Sequence, residues 1–153
     1  MKIGIVGNGS DKFTLAGGLR AQKLISDLLQ ETRGVVVSGH SPVGGVDIWA
    51  EEIGKTIGCE LLIFPAKENK WEGGYKQRNL EIAQNADEMH IIVADRYPEK
   101  FGGHRFPICY HCKTTDHVKS GGCWTGKKFE ELHPGKKAVW HIVRNRDERD
   151  SEV

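Results

Sequence analysis

No stretch of this sequence stays apolar for the roughly 20 residues that a membrane-spanning helix needs, and only 38% of its 153 residues are hydrophobic. Neither sign of charge is in excess. The 22 basic side chains are matched by 21 acidic ones, whereas a surface that coats nucleic acid normally carries a basic surplus. The opening run Met1-Lys2-Ile3-Gly4-Ile5-Val6-Gly7 is too short and too rich in glycine for a secretory leader and reads as a strand. A cytoplasmic protein with no membrane partner is expected, and its four cysteines are then better read as thiols or metal ligands than as disulfides. Two nucleotide signatures are also missing. Gly7-Asn8-Gly9 lacks the third glycine of a dinucleotide-binding fingerprint, and no Walker A lysine is found. NAD and ATP are therefore not expected as catalytic cofactors.

What is present is an alternation. Short, nearly continuous apolar runs occur at 2–6, 34–38, 61–64, 90–93 and 138–143. Strands buried on both faces of a parallel sheet read this way. Between them apolar residues recur at helical spacing: Ala21, Leu24, Ile25 and Leu28 within 14–31; Val46, Ala50, Ile53 and Ile57; Leu80 and Ala83 within 75–86; and a short helix at 125–132. The pattern predicts an α/β, Rossmann-like, doubly wound and mainly parallel sheet of about five strands, with helices on both faces. One domain spanning 1–143 is expected, interrupted by an irregular His-, Gly- and Cys-rich insertion at 95–119. A charged tail at 144–153 has almost no apolar residue and is expected to be flexible.

Ligands of open parallel sheets bind outside the carboxyl ends of the strands. Several glycine-rich segments should arrive there: Gly7-Asn8-Gly9-Ser10, the run from Ser38-Gly39-His40-Ser41 to Gly44-Gly45-Val46-Asp47, and Ser120-Gly121-Gly122-Cys123-Trp124-Thr125. Glycine lets backbone amides approach an anion closely, and a following helix adds its positive end. Ser10, Ser41 and Thr125 offer hydroxyls, and Arg78 offers a bidentate contact to phosphate. Asp47 and Glu51, one turn apart on one helix face, are the candidate catalytic carboxylates. Asp47 reads either as a helix cap or as a ribose-hydroxyl acceptor or general base. His40 reads as a phosphate donor or a solvated loop residue. Trp71 and Tyr75 either stack on a base or pack on the sheet edge.

These loops resemble the SLOG superfamily, which includes the Lonely-guy phosphoribohydrolases, the DNA-processing protein A family and small YspA-like nucleotide-binding proteins. Val37-Ser38-Gly39 continuing to Gly44-Gly45-Val46-Asp47 is similar to the superfamily's S-G-G-x-x-G-x-D segment with an altered middle. Arg78-Asn79 resembles the R-N pair of the YspA-like branch, and Gly121-Gly122-Cys123-Trp124-Thr125 resembles its last glycine loop. The resemblance implies a phosphorylated nucleoside as ligand, bound by Gly7, Asn8, Gly9, Ser10, Ser38, Gly39, His40, Ser41, Gly44, Gly45, Asp47, Arg78, Asn79, Gly121, Gly122 and Thr125, and it implies a homo-oligomer. In the Lonely-guy enzymes a loop glutamate takes part in cleaving an N-glycosidic bond. That position falls here on Lys128, which cannot act as a carboxylate. A ligand sensor or carrier is therefore the first expectation, and a nucleoside monophosphate N-glycosidase the second.

The insertion contains Cys109-Tyr110-His111-Cys112, then His117 and Cys123, a C-x2-C-x4-H-x5-C spacing. Thiolate and imidazole at such intervals suit a structural, tetrahedral Zn2+, with His104 and His111 as rival fourth ligands. Binding would also order a long loop. The alternative is free thiols in a loop held by other contacts. Cys59 reads as a small buried hydrophobe. Arg105, Lys113, Lys119, Lys127 and Lys128 supply a modest basic surface, which leaves a nucleic-acid processing accessory as a third and lesser expectation.

Overall fold

The computed structural model describes residues 1–146. Five strands, β1 (Lys2–Gly7), β2 (Val35–Ser38), β3 (Leu61–Ile63), β4 (Glu88–Ala94) and β5 (Val139–Val143), form one sheet in the order β3-β2-β1-β4-β5. All four pairings are parallel. Helices α1 (Leu15–Thr32), α2 (Val46–Ile57), α3 (Lys76–Asn85) and α4 (Gly121–Leu132) cover it. This is the expected doubly wound α/β architecture with a Cys/His-rich region. Among the described residues, no helix is long and apolar enough to cross a membrane.

The apolar runs become strands because both sheet faces are dry. Ile3, Ile5, Val36, Val37, Ile91, Ile92 and Val93 are fully buried. One core cluster joins Ile82, Ala83 and Phe129 of α3 and α4 to Val6, Val37, Ile91 and Val93. The other joins Ala21, Ile25, Leu29, Val46 and Ala50 of α1 and α2 to Ile3, Ile5, Val36 and Ile92. The edge strand β5 is less covered, with Val139 and Ile142 about half exposed.

Two boundaries differ from expectation for physical reasons. Apolar periodicity places the last helix at 125–132, but α4 begins at Gly121. Glycine is a poor helix former, yet Ser120 caps this end by accepting the Gly122 amide at 3.0 Å. At the other end of the chain, Asn145 is not part of a loose tail. It is buried. Its Oδ1 accepts from the Thr14 amide (2.8 Å) and hydroxyl (3.1 Å), and its Nδ2 donates to the carbonyls of Lys12 (2.9 Å) and Arg96 (2.8 Å). The ordered unit thus runs past 143. The remainder of the expected tail, 147–153, lies outside the described residues.

Candidate functional site

The strand order reverses direction at β1, so the crevice between β1 and β4 is the switch point where ligands of such sheets bind. Here Asn8 fills it. Its Oδ1 accepts from the Ala94 amide (2.9 Å) and its Nδ2 donates to the Lys119 carbonyl (3.1 Å). The first two glycine loops then pack on each other. Gly45 has φ 84°, and a Cβ there would lie 2.5 Å from the Gly9 carbonyl carbon. The Val46 amide donates to the Asn8 carbonyl (3.1 Å), the Gly44 amide to Ser41 (3.0 Å), and the Ser10 hydroxyl to Val43 (2.6 Å). Much of the amide cradle expected from the glycines is therefore consumed within the protein, and the site is built mainly from side chains.

Those side chains form a buried charged cluster at the ends of β2, α2 and α3. Gly45 is the N-cap residue of α2 and makes no side-chain cap bond, so Asp47, in the first turn, is not the cap. Asp47 and Glu51 are both 7% exposed. Ser38 donates to Glu51 Oε2 at 2.7 Å, and His40 Nδ1 lies 2.6 Å from Glu51 Oε1. His40 holds a left-handed backbone, φ 51°, uncommon for a residue with a side chain. Arg78 donates through Nη1 to the Gly39 carbonyl and sits 3.8 Å from Asp47 Oδ2. Only glycine at 39 leaves room for that guanidinium. The Arg78 Nε is buried without a partner. Burial pushes the Asp47 carboxyl up to about 6, with the Arg78 charge opposing and Glu51 reinforcing.

Asp47, Arg78 and Asn79 line a cavity of about 590 Å³ on the α3/α4 side of the sheet. Its aromatic wall is Trp71, Tyr75 and Trp124, with Trp71 edge-on to Trp124 at 5.2 Å. The first turn of α4 contributes Gly121 and Gly122, and the insertion contributes Tyr110, His111 and Lys119. Of the ligand residues expected from sequence, Gly7, Ser41, Asp47, Arg78, Asn79, Gly121 and Gly122 line this cavity. Asn8 and Gly9 line a neighbouring one. Ser10, Ser38, Gly39, His40, Gly44, Gly45 and Thr125 line neither; Thr125 is buried within α4. Trp124 was detectable as an aromatic beside a glycine pair. Lys119, Tyr110 and His111 reach the cavity only through the path of the insertion, which no local pattern signals.

Cys109, Cys112, His117 and Cys123 come together, with one ligand atom from each lying within 4.8 Å of all the others. The turn is tight. The Lys113 amide donates to the Cys109 carbonyl (2.7 Å), the Cys109 amide donates to Thr114 (2.9 Å), and Lys113 takes φ 56°. His117 directs Nδ1 at the Val118 carbonyl (3.0 Å), leaving Nε2 for the cluster. Trp140 Nε1 donates to Cys123 Sγ at 3.4 Å. Burial pushes the Cys112 and Cys123 thiols up, a cost that a cation at their centre would reverse. Four soft donors so arranged can hold a metal ion. Neither rival histidine joins them: His104 packs on Phe106 at 4.5 Å and His111 faces the cavity.

The chain matches no protein-family model, no curated protein and no solved structure.

Proposed function

We propose that the 590 Å³ cavity binds a phosphorylated nucleoside. The observation that carries this is the pairing of an aromatic wall with a polar floor in one cavity at the carboxyl edge of the sheet. Trp71, Tyr75 and Trp124 suit the faces of a base. Asp47 and Asn79 suit ribose hydroxyls. Arg78, Lys119 and the first turn of α4 supply positive charge for phosphate. The SLOG resemblance supports the same ligand class and a homo-oligomer, which sedimentation tests. Zinc is the metal we assign to the Cys3His cluster, because a set of three thiolates and one imidazole favours it.

The test is titration of AMP, GMP, CMP and UMP, read by tryptophan fluorescence and thermal shift. Saturable binding is expected from at least one, and at about 100 times Kd it should add roughly 2.7 kcal/mol of stability. No response to any of the four refutes the reading.

One observation favours a second reading, hydrolysis of the N-glycosidic bond. Asp47 titrates near 6, where one carboxyl can hold or release a proton at the leaving base. Water would add at the anomeric carbon as the C–N bond breaks; the base would leave with the Asp47 proton, and the proton lost by the water would restore the carboxyl. Release of free base that is lost in Asp47→Asn separates this reading from simple binding.

A further inference from the structure

The nucleotide reading leaves one element unused, the loop after β4. Residues 95–106 carry none of the metal ligands, yet they are held firmly. Arg105 donates to the carbonyls of Pro98 (2.8 Å), Glu99 (2.8 Å) and Phe101 (3.3 Å). The Phe106 amide donates to the Tyr97 hydroxyl at 3.1 Å, and Tyr97 stacks on Phe101 at 4.9 Å. Tyr97, Phe101 and Phe106 do not turn into the core. They line a second cavity of about 390 Å³.

The two cavities adjoin, since Gly7, Lys119 and Gly121 line both. Lys119 straddles the junction. Its Nζ lies 5.0 Å from the Phe106 ring, in the second cavity, and 5.2 Å from the Tyr110 ring, in the first. At Gly121 a Cβ would meet nothing within 4 Å, so space is open where α4 begins. Asp11, which also lines the second cavity, is paired with Lys12 at 3.1 Å. That carboxylate can accept hydrogen bonds from hydroxyls.

We propose that the two cavities are subsites for one two-part ligand. It is a nucleotide whose phosphate lies at the Lys119–Gly121 junction and carries a second sugar or nucleoside into the Tyr97–Phe101–Phe106 cavity. The ligand class is a phosphodiester- or pyrophosphate-linked nucleotide conjugate. This inference rests on the reading of the first cavity as a nucleotide site. Lys119 sets a positive charge where the linking phosphate would sit, and Tyr97, Phe101 and Phe106 line the cavity beyond it, with Lys12 Nζ 5.0 Å from the Phe101 ring. An isolated nucleoside monophosphate in the first cavity leaves the second cavity unfilled.

Isothermal titration of the full chain tests it, comparing AMP, GMP, CMP and UMP with dinucleoside monophosphates and nucleoside diphosphate sugars of the same base. The conjugate is expected to bind about tenfold more tightly than its matching mononucleotide, the gain of one to two aromatic contacts. Phe101→Ala should erase that margin while leaving the mononucleotide Kd unchanged. Mononucleotide binding with no conjugate advantage overturns the second subsite and leaves the first cavity's reading standing. Phe101→Ala weakening both ligands equally also overturns it. Binding of neither class overturns both readings. The wild-type comparison alone decides the matter should Phe101→Ala fail to fold.

Discussion

Replacing Asp47 by asparagine should move stability progressively in the variant's favour, relative to wild type, as the pH rises. The carboxyl titrates near 6 in the folded chain against an ordinary value of 3.8. Below pH 4 it is protonated both folded and unfolded, so wild type and variant differ by a constant. Between pH 4 and 6 the folded chain keeps the proton that the unfolded chain has released. Folding then takes up a proton, and raising the pH opposes it. Above pH 6 both forms are ionised and the penalty is fixed. A shift of about two pH units corresponds to about 3 kcal/mol. The stability difference between Asp47→Asn and wild type should therefore move by about 3 kcal/mol in the variant's favour from pH 4 to pH 7, then level off. Titrating groups remote from Asp47 cancel in the comparison, whereas Glu51 and His40, which feel its charge, contribute to it. Urea unfolding of both proteins at half-unit pH steps measures it. A difference that stays flat from pH 4 to 8 would show that Asp47 ionises as an ordinary surface carboxylate, and the account of a desolvated site would fail with it.

Two further outcomes are expected. Cys123→Ser should abolish the metal found by elemental analysis of the wild-type chain and destabilise by more than about 4 kcal/mol, while Cys59→Ser leaves metal content unchanged; equal metal in Cys123→Ser would refute the Cys3His centre. Asn145→Ala removes four side-chain hydrogen bonds and should cost about 3 kcal/mol in urea unfolding, whereas a cost under about 0.5 kcal/mol, as at an ordinary surface position, would show that the latch contributes nothing.

The strands were legible because burial on both faces leaves an unbroken apolar run, which Ile91, Ile92 and Val93 show directly. The Cys3His cluster was legible because ligand spacing is a local property. The glycine loops were legible as turns but not in their use. Whether an amide faces a ligand or a neighbouring carbonyl depends on what packs against it, and Gly45 packs against Gly9 and Ser10. The start of α4 was hidden because two glycines outweigh one capping serine in any propensity argument. Lys119 and Tyr110 were hidden as cavity residues because their positions depend on the path of the whole insertion. Asn145 was hidden by its polar neighbours, although a buried amide making four hydrogen bonds to three residues is the opposite of a solvated tail. The raised Asp47 carboxyl could not be read at all, since desolvation is a property of the folded chain.

The parallel sheet has a practical consequence for how the protein is handled. With every strand running the same way, Met1 enters at the rim opposite both cavities, whereas β5 and Asn145 deliver the chain's last described residues to the rim where those cavities open. A purification handle or fluorophore joined to the amino end stands a full strand length away from the pockets. A fluorophore attached instead at Arg146, the last described residue, would stand at the rim where the cavities open.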